Sequence, residues 1–125
     1  MAARNTDFMQ TLGRQKVTVC GSFVPNGSSA IDNTLNEGKG FTVAYTSTGV
    51  YTVTFSDAYG ARMSAHASLI QATRTQTVEV ASCDPQTKAM VIHSSAHGAW
   101  SLADVTAASG TRIDFTCHFD DALDN

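Results

Sequence analysis

Apolar and polar residues alternate with a period of two along much of the chain. The clearest case is the pair of segments 41–46 and 51–55, in which Phe, Val and Tyr alternate with Thr and Ala. Side chains two residues apart lie on the same face of a strand, and these residue types favour strands. Ser47, Thr48 and Gly49 separate the segments, and glycine adopts the positive φ that a tight turn requires. The pattern predicts a β-hairpin with one apolar face.

Five further segments show the same alternation between turn-forming residues. The Ala content of one of them, 61–69, would also allow a helix, but alternation over nine residues favours a strand. Seven short strands with regularly spaced turns predict an all-β fold, an antiparallel β-sandwich or barrel. Asp84, Pro85, Gln86 and Thr87 predict the turn of a second hairpin. The five segments are 16–23, 61–69, 75–81, 88–94 and 111–119.

The first 14 residues follow neither the strand nor the helix period. We expect them to form an extended N-terminal arm ahead of a single β domain at 15–125, which ends in a short acidic tail. Phe8, Met9 and Leu12 are costly to leave in water, so we regard them as candidate contacts with a partner. A frayed terminus is the alternative.

Two long connections interrupt the strand pattern. Residues 26–40 predict an irregular segment with one helical turn, and residues 95–110 predict a loop with a helical turn at 101–107. The second connection carries Trp100, the only Trp of the chain. A loop Trp is often an interface anchor, so Trp100 joins the candidate interface residues. The alternative is a Trp that closes one end of the sandwich.

Composition narrows the classes of partner. Only 15% of the 125 residues are charged and the net charge is −3, whereas Thr (16) and Ser (12) supply most of the polarity. Without an excess of Lys and Arg, nucleic-acid binding has no electrostatic basis. No apolar run of 18 residues occurs, so we expect no membrane-spanning helix. The first residues lack the apolar stretch of a signal peptide, which favours synthesis in a cytoplasm.

The residues that usually carry chemistry do not form a recognisable motif. His93 and His97 have the spacing of zinc ligands on a helix, but they fall at a strand end and in a loop. No Gly-x-Ser-x-Gly motif occurs, and the acidic residues fall mainly in turns. We therefore expect no catalytic residues, no metal and no cofactor. A site that brings Cys83, His93, His97 and His118 together is conceivable, although their spacing does not indicate one.

The cysteines are Cys20, Cys83 and Cys117. An odd number in a protein made in a cytoplasm favours free thiols over a disulfide framework. Free cysteine behaves as a small apolar residue, so we expect all three thiols to be buried. The alternative, which the sequence does not indicate, is a single bridged pair in an extracellular particle.

Several segments resemble a family of small virion proteins of tailed bacteriophages. The resemblance spans about residues 15–119 and implies a β-rich head decoration, or cement, protein without catalytic residues. Such proteins sit as homotrimers on the capsid surface, bind the major capsid protein and clamp neighbouring capsomers. Synthesis would then take place in the host bacterial cytoplasm. The segments that carry the resemblance are 21–27, 38–43, 49–59, 64–69 and 110–115.

A second hypothesis remains open, because similar domains also occur in phage tails and fibres. In that case the chain would be a receptor- or glycan-binding domain, which needs aromatic side chains that face solvent. Trp100 and Tyr59 are the only aromatic residues that the sequence places in loops.

Overall fold

The computed structural model describes residues 16–99, 101–106, 108 and 110–120, and eight strands make up most of this part of the chain. A single turn of 3-10 helix at Asn33–Leu35 lies in the first long connection, as expected. None of the described helices is long and apolar enough to cross a membrane. The strands are β1 (Lys16–Phe23), β2 (Glu37–Gly38), β3 (Phe41–Ser47), β4 (Val50–Phe55), β5 (Ala61–Ile70), β6 (Gln76–Asp84), β7 (Ala89–Ala96) and β8 (Arg112–Asp120).

The strands form two antiparallel sheets, which confirms the prediction of an all-β sandwich. Sheet A has the strand order β2-β1-β8-β5, and sheet B has the order β3-β4-β7-β6. The eighth strand is β2, which pairs with Gly21 and Ser22 of β1. The sequence predicts only seven strands because two residues are too few to show an alternation.

The apolar faces of both sheets meet in one core. Alternate residues of β4 and β8 are buried, as the period of two predicts. Aromatic rings join the layers, since the ring centroids of Phe55 and Phe119 lie 5.2 Å apart and those of Phe23 and Tyr51 lie 5.6 Å apart. The Phe55–Phe119 pair is edge-to-face, an arrangement that adds stability beyond the apolar area that it buries. The core thus fixes both sheets relative to each other.

Both predicted hairpins are present. The β3–β4 turn places Gly49 at a φ of 69°, and residues 85–88 form the β6–β7 turn with Lys88 at a φ of 66°. The helical turn expected at 101–107 is wrong, because the described residues 101–106 are not helical. Ala103 instead donates its backbone N–H to Ser94 of β7 at 3.0 Å. Pairing with a strand has replaced the local hydrogen bonds that a helix would need.

The cysteines are all free, but they differ in burial. Cys117 is buried, Cys83 is half-buried and Cys20 is exposed. The expectation of three buried thiols is therefore wrong for Cys20 and is met only in part by Cys83. The reason is the strand period, because Val19 of β1 faces the core and its neighbour Cys20 must then face outward.

The pairing of the strands gives the sandwich two distinct ends. At one end, which we call the terminal end, β1 begins at Lys16 and β8 ends at Asp120. The expected arm (1–14) and the acidic tail adjoin this end in sequence, but both lie outside the described residues. At the opposite end, which we call the loop end, both long connections and the β3–β4 and β5–β6 turns come together. The registers place Phe23, Ile70 and Ala96 there.

Candidate interaction surface

The loop end carries the exposed large apolar side chains of the described residues. Leu35 and Ile70 are each 50% exposed, and Leu102 is 41% exposed. Leu35 ends the 3-10 turn, Ile70 ends β5, and Leu102 lies in the second long connection. Leaving such side chains in water costs free energy that a partner would recover by covering them. Their position at one end makes the loop end a candidate interaction surface.

Arg112, at the start of β8, links two of these apolar residues. It lies opposite Ile70 in the β5–β8 register. Its Nη2 donates to the carbonyl oxygen of Leu35 at 3.1 Å and to that of Ser22 at 3.3 Å, and its Nε donates to Ser22 Oγ at 2.8 Å. The guanidinium thus ties the 3-10 turn to the loop end of sheet A, where Ile70 also lies.

The segment 101–106 is fastened to the loop end by buried hydrogen bonds. The backbone N–H of Val105 donates to the Tyr51 hydroxyl at 3.1 Å, and neither residue is exposed to solvent. The carbonyl oxygen of Val105 accepts from the N–H of Gly27 at 3.0 Å, which brings in the first long connection. Ser94, which is fully buried, donates its hydroxyl to the carbonyl oxygen of Ala103. These bonds present Leu102 from a fixed backbone.

Asp104 provides a second fastening on the same segment. Its Oδ1 accepts from the N–H of Gly49 at 2.8 Å, and its Oδ2 accepts from the Tyr45 hydroxyl at 3.2 Å. Desolvation by burial raises the pKa of both Tyr45 and Tyr51, and the hydrogen bond to Asp104 raises that of Tyr45 further. Both phenols therefore stay protonated at neutral pH, as their hydrogen bonds to this segment require.

Gly49 allows the segment to approach the β3–β4 turn closely. Its φ of 69° is unfavourable for residues with a side chain. A Cβ at this position would also lie 2.6 Å from the carbonyl oxygen of Ser94, 2.8 Å from the Ala103 nitrogen and 3.0 Å from the Leu102 Cβ. Turn conformation and close packing thus both require glycine here.

The outer face of sheet A has a shallow depression. The depression of about 360 Å³ is lined in part by Cys20, Glu37, Asp114 and Thr116. Nearby, Thr18 Oγ1 and His118 Nδ1 lie 3.1 Å apart in a hydrogen bond. Within the described ranges, no group of three or more His, Cys, Asp and Glu side chains is arranged to hold a metal ion.

The structure separates the histidines that the sequence analysis considered together. His93 lies opposite Glu79 in sheet B, between the buried Ile92 and Ser94, and so faces away from the core. His118 lies between buried residues of β8 and faces outward from sheet A. The two imidazoles therefore lie on opposite sides of the sandwich.

The outer face of sheet B carries small uncharged side chains. Thr46 Oγ1 and Thr52 Oγ1 are hydrogen-bonded at 2.7 Å, and the exposed Ala44 lies opposite Thr52 in the β3–β4 register. This face meets Leu102 at the loop end, where Leu102 pairs with Ser95 of β7, but neither Leu35 nor Ile70 belongs to sheet B. It therefore provides sites for control substitutions.

Tyr59 is not available as an exposed aromatic platform. It is only 8% exposed and stacks on Phe119, with ring centroids 4.6 Å apart and an interplanar angle of 4°. The expectation that Tyr59 faces solvent is wrong because its ring completes the core at the terminal end. The candidate interface residues predicted from the sequence lie outside the described residues. They are Phe8, Met9, Leu12 and Trp100.

The candidate interface residues predicted from the sequence do not include Leu35, Ile70 or Leu102. The strand period carries a signal for Ile70, because it follows the inward-facing Leu69 and must face the other way. Leu35 and Leu102 lie in irregular segments, where no period shows which side chains are exposed.

Comparisons with known proteins add no relative. No protein-family model, curated protein or solved structure matches this chain. The resemblance to phage virion proteins therefore stays a prediction from the sequence segments, and arguments about function depend on the surfaces described above.

Proposed function

We propose that the chain is a decoration protein, which binds the outer surface of a tailed-phage head as a homotrimer and stabilises contacts between capsomers. The major capsid protein is the proposed partner. The observation that carries the proposal is the loop end, where Leu35, Ile70 and Leu102 are exposed on a hydrogen-bonded framework. The resemblance of the sequence segments to phage virion proteins supplies the identity of the partner.

The loop end has the properties of a protein-binding surface. Its apolar side chains project from loops that a rigid sandwich positions, which is the usual arrangement of binding residues. Because Tyr51, Asp104 and Arg112 fix the backbone, little conformational entropy is lost on binding. A central cluster of buried apolar anchors supplies most of the free energy of a typical protein interface.

A protein that clamps capsomers must contact its neighbours in more than one place. The loop end offers one contact region, and the arm at 1–14 joins the domain at the opposite end, at Lys16. Phe8, Met9 and Leu12 of the arm are the candidate contacts of a second region. A second contact region in addition to the loop end would suit a bridging role.

The low charge of the chain fits the same role. With 15% charged residues and a net charge of −3, the surface is poorly suited to attract nucleic acid. Binding would depend on apolar and hydrogen-bonding contacts, and we expect it to weaken little as the salt concentration rises.

The sheet edges explain how the protein stays soluble before assembly. An exposed edge strand invites pairing with other chains unless it is covered or bent. Asn33 covers the β3 edge, because its side chain accepts from the N–H of Val43 at 2.9 Å and donates to the carbonyl oxygen of Val43 at 3.1 Å. The β5 and β6 edges contain irregularities in register, between Arg62 and Ser64 and between Val80 and Ser82.

The proposal is tested by binding purified protein to phage heads from which the protein has been removed. We expect the full chain to sediment with the heads and to raise their resistance to heat. Light scattering should give three times the chain mass of 13.2 kDa. Ile70→Asp should weaken binding by about tenfold or more, as burial of a charge at an interface anchor does.

Ala44→Asp is the matched control, since it introduces the same charge at an exposed position on the outer face of sheet B. It should bind like the unmodified protein. Equal loss in both variants, or heads whose heat resistance does not change when the protein is added, would contradict the proposal. Binding to tails instead of heads would favour the receptor-binding hypothesis, with Trp100 as its remaining aromatic candidate.

A further inference from the structure

Cys83 and Cys117 come from different sheets and meet in the core. Cys83 of β6 pairs with Met90 of β7 in sheet B. Cys117 of β8, in sheet A, donates its thiol to Met90 Sδ at 3.4 Å. Cys83 packs against the core cluster that contains both Met90 and Cys117. Three sulfur-bearing side chains therefore lie close together between the sheets, and two of them are thiols on either side of Met90.

The two thiols are suited to different roles in disulfide formation. Cys83 is half-buried, so a small reagent can approach it, whereas Cys117 is buried. The neighbouring Cys117 thiol lowers the pKa of Cys83, whereas the Cys83 thiol and burial raise that of Cys117, and the charge of Arg62 lowers the pKa of Cys83 further. Because the thiolate is the attacking species, Cys83 is the first thiol to react.

We propose that Cys83 and Cys117 form a disulfide that joins the two sheets when the protein encounters a small-molecule disulfide. The Cys83 thiolate attacks one sulfur of the reagent, which forms a mixed disulfide and releases one thiol. The Cys117 thiol then loses its proton and attacks the Cys83 sulfur, which releases the second thiol. Two protein thiols are oxidised by two electrons, and the reagent disulfide is reduced to two thiols.

Cys20 is excluded from this bond by the strand period. In the β1–β8 register Val19 lies opposite Cys117, and both are buried, whereas Cys20 lies opposite Thr116 on the outer face. Sheet A therefore lies between the sulfur of Cys20 and the cluster. Cys20 should therefore stay outside the internal bond, whether or not its own thiol reacts with the reagent.

The bond would restrict the unfolded chain more than the folded one. It closes the segment from Cys83 to Cys117, which includes β7 and the second long connection. A cross-link over a segment of this length removes conformational entropy from the unfolded state. For a domain of this size the expected rise in Tm is roughly 10 °C. The inference holds whichever partner the loop end binds.

The test uses the full chain, reduced and then treated with oxidised glutathione. Unfolding in N-ethylmaleimide should label neither Cys83 nor Cys117, and peptide mapping without reduction should find Cys83 joined to Cys117. Tm should rise by roughly 10 °C and return to its first value with dithiothreitol. Cys20→Ser should behave in the same way but take no label, whereas Cys83→Ala should form no internal bond.

Three labels after treatment, a stable glutathione adduct on Cys83, or a bond that includes Cys20 would each overturn the proposal. An internal bond that leaves Tm unchanged would overturn its stabilising role.

Discussion

Replacing Tyr51 by Phe removes a single hydroxyl group from the framework of the loop end. That hydroxyl accepts the N–H of Val105 at 3.1 Å, and both residues are fully buried. In the variant the amide would remain in the core without a partner, which costs about 1–3 kcal/mol. For a domain of this size the loss corresponds to a fall in Tm of roughly 5–10 °C. Urea denaturation should show a lower midpoint with an unchanged slope.

Tyr45→Phe is the matched control, since it removes the same group from the neighbouring strand. The Tyr45 hydroxyl donates to Asp104 at 3.2 Å in a half-buried position, where water can replace it. We expect a loss under about 1 kcal/mol. Hydrogen exchange at the Val105 amide should become faster only in Tyr51→Phe. Equal losses in both variants, or no loss in Tyr51→Phe, would refute the argument that this buried bond fastens segment 101–106.

Two further predictions concern the same region. Gly49→Ala should lower the free energy of unfolding by about 2 kcal/mol or more, measured in urea, because it adds both strain and a clash with Ser94. Gly40 has a φ of 88°, but no atom lies within 4 Å of the Cβ that alanine would add. Gly40→Ala should therefore lower the free energy of unfolding by only about 1 kcal/mol, and equal losses in the two variants would contradict the packing argument. Stability should also fall as the pH rises above about 10, because burial raises the pKa of Tyr51 above its unfolded value of 10.0 and favours the protonated phenol in the folded state. The urea midpoint should fall less steeply between pH 8 and 11 in Tyr51→Phe than in the unmodified protein. An identical pH dependence in both proteins would show that Tyr51 is not the titrating group.

The strands were predictable because their signal is local. In β3, β4 and β8 every second residue is apolar, and the same residues face the core. One face of each strand must be buried in a sandwich, so the alternation fixes both the element and its orientation. The same period already places Cys20 outward, and the general tendency of cysteine to be buried proved a poorer guide than the pattern around it.

The loop end was not predictable, since distant residues build it. Arg112 reaches Ser22 and Leu35, which are 90 and 77 residues away in sequence. Val105 depends on Tyr51, 54 residues away. No periodicity in the sequence indicates such contacts. For that reason the helical turn predicted near Val105 is wrong, and the segment pairs with a strand instead. The position of Cys83 and Cys117 on either side of Met90 likewise follows only from the packing of one sheet on the other.

The proposed role, a component of a phage head that binds through its loop end, is tested most directly by electron cryomicroscopy of purified virions that carry the labelled chain. We expect groups of three copies on the outer surface of the head, with Leu35, Ile70 and Leu102 covered by neighbouring protein. Label on the tail or absent from the particle, or a loop end that faces solvent, would contradict it.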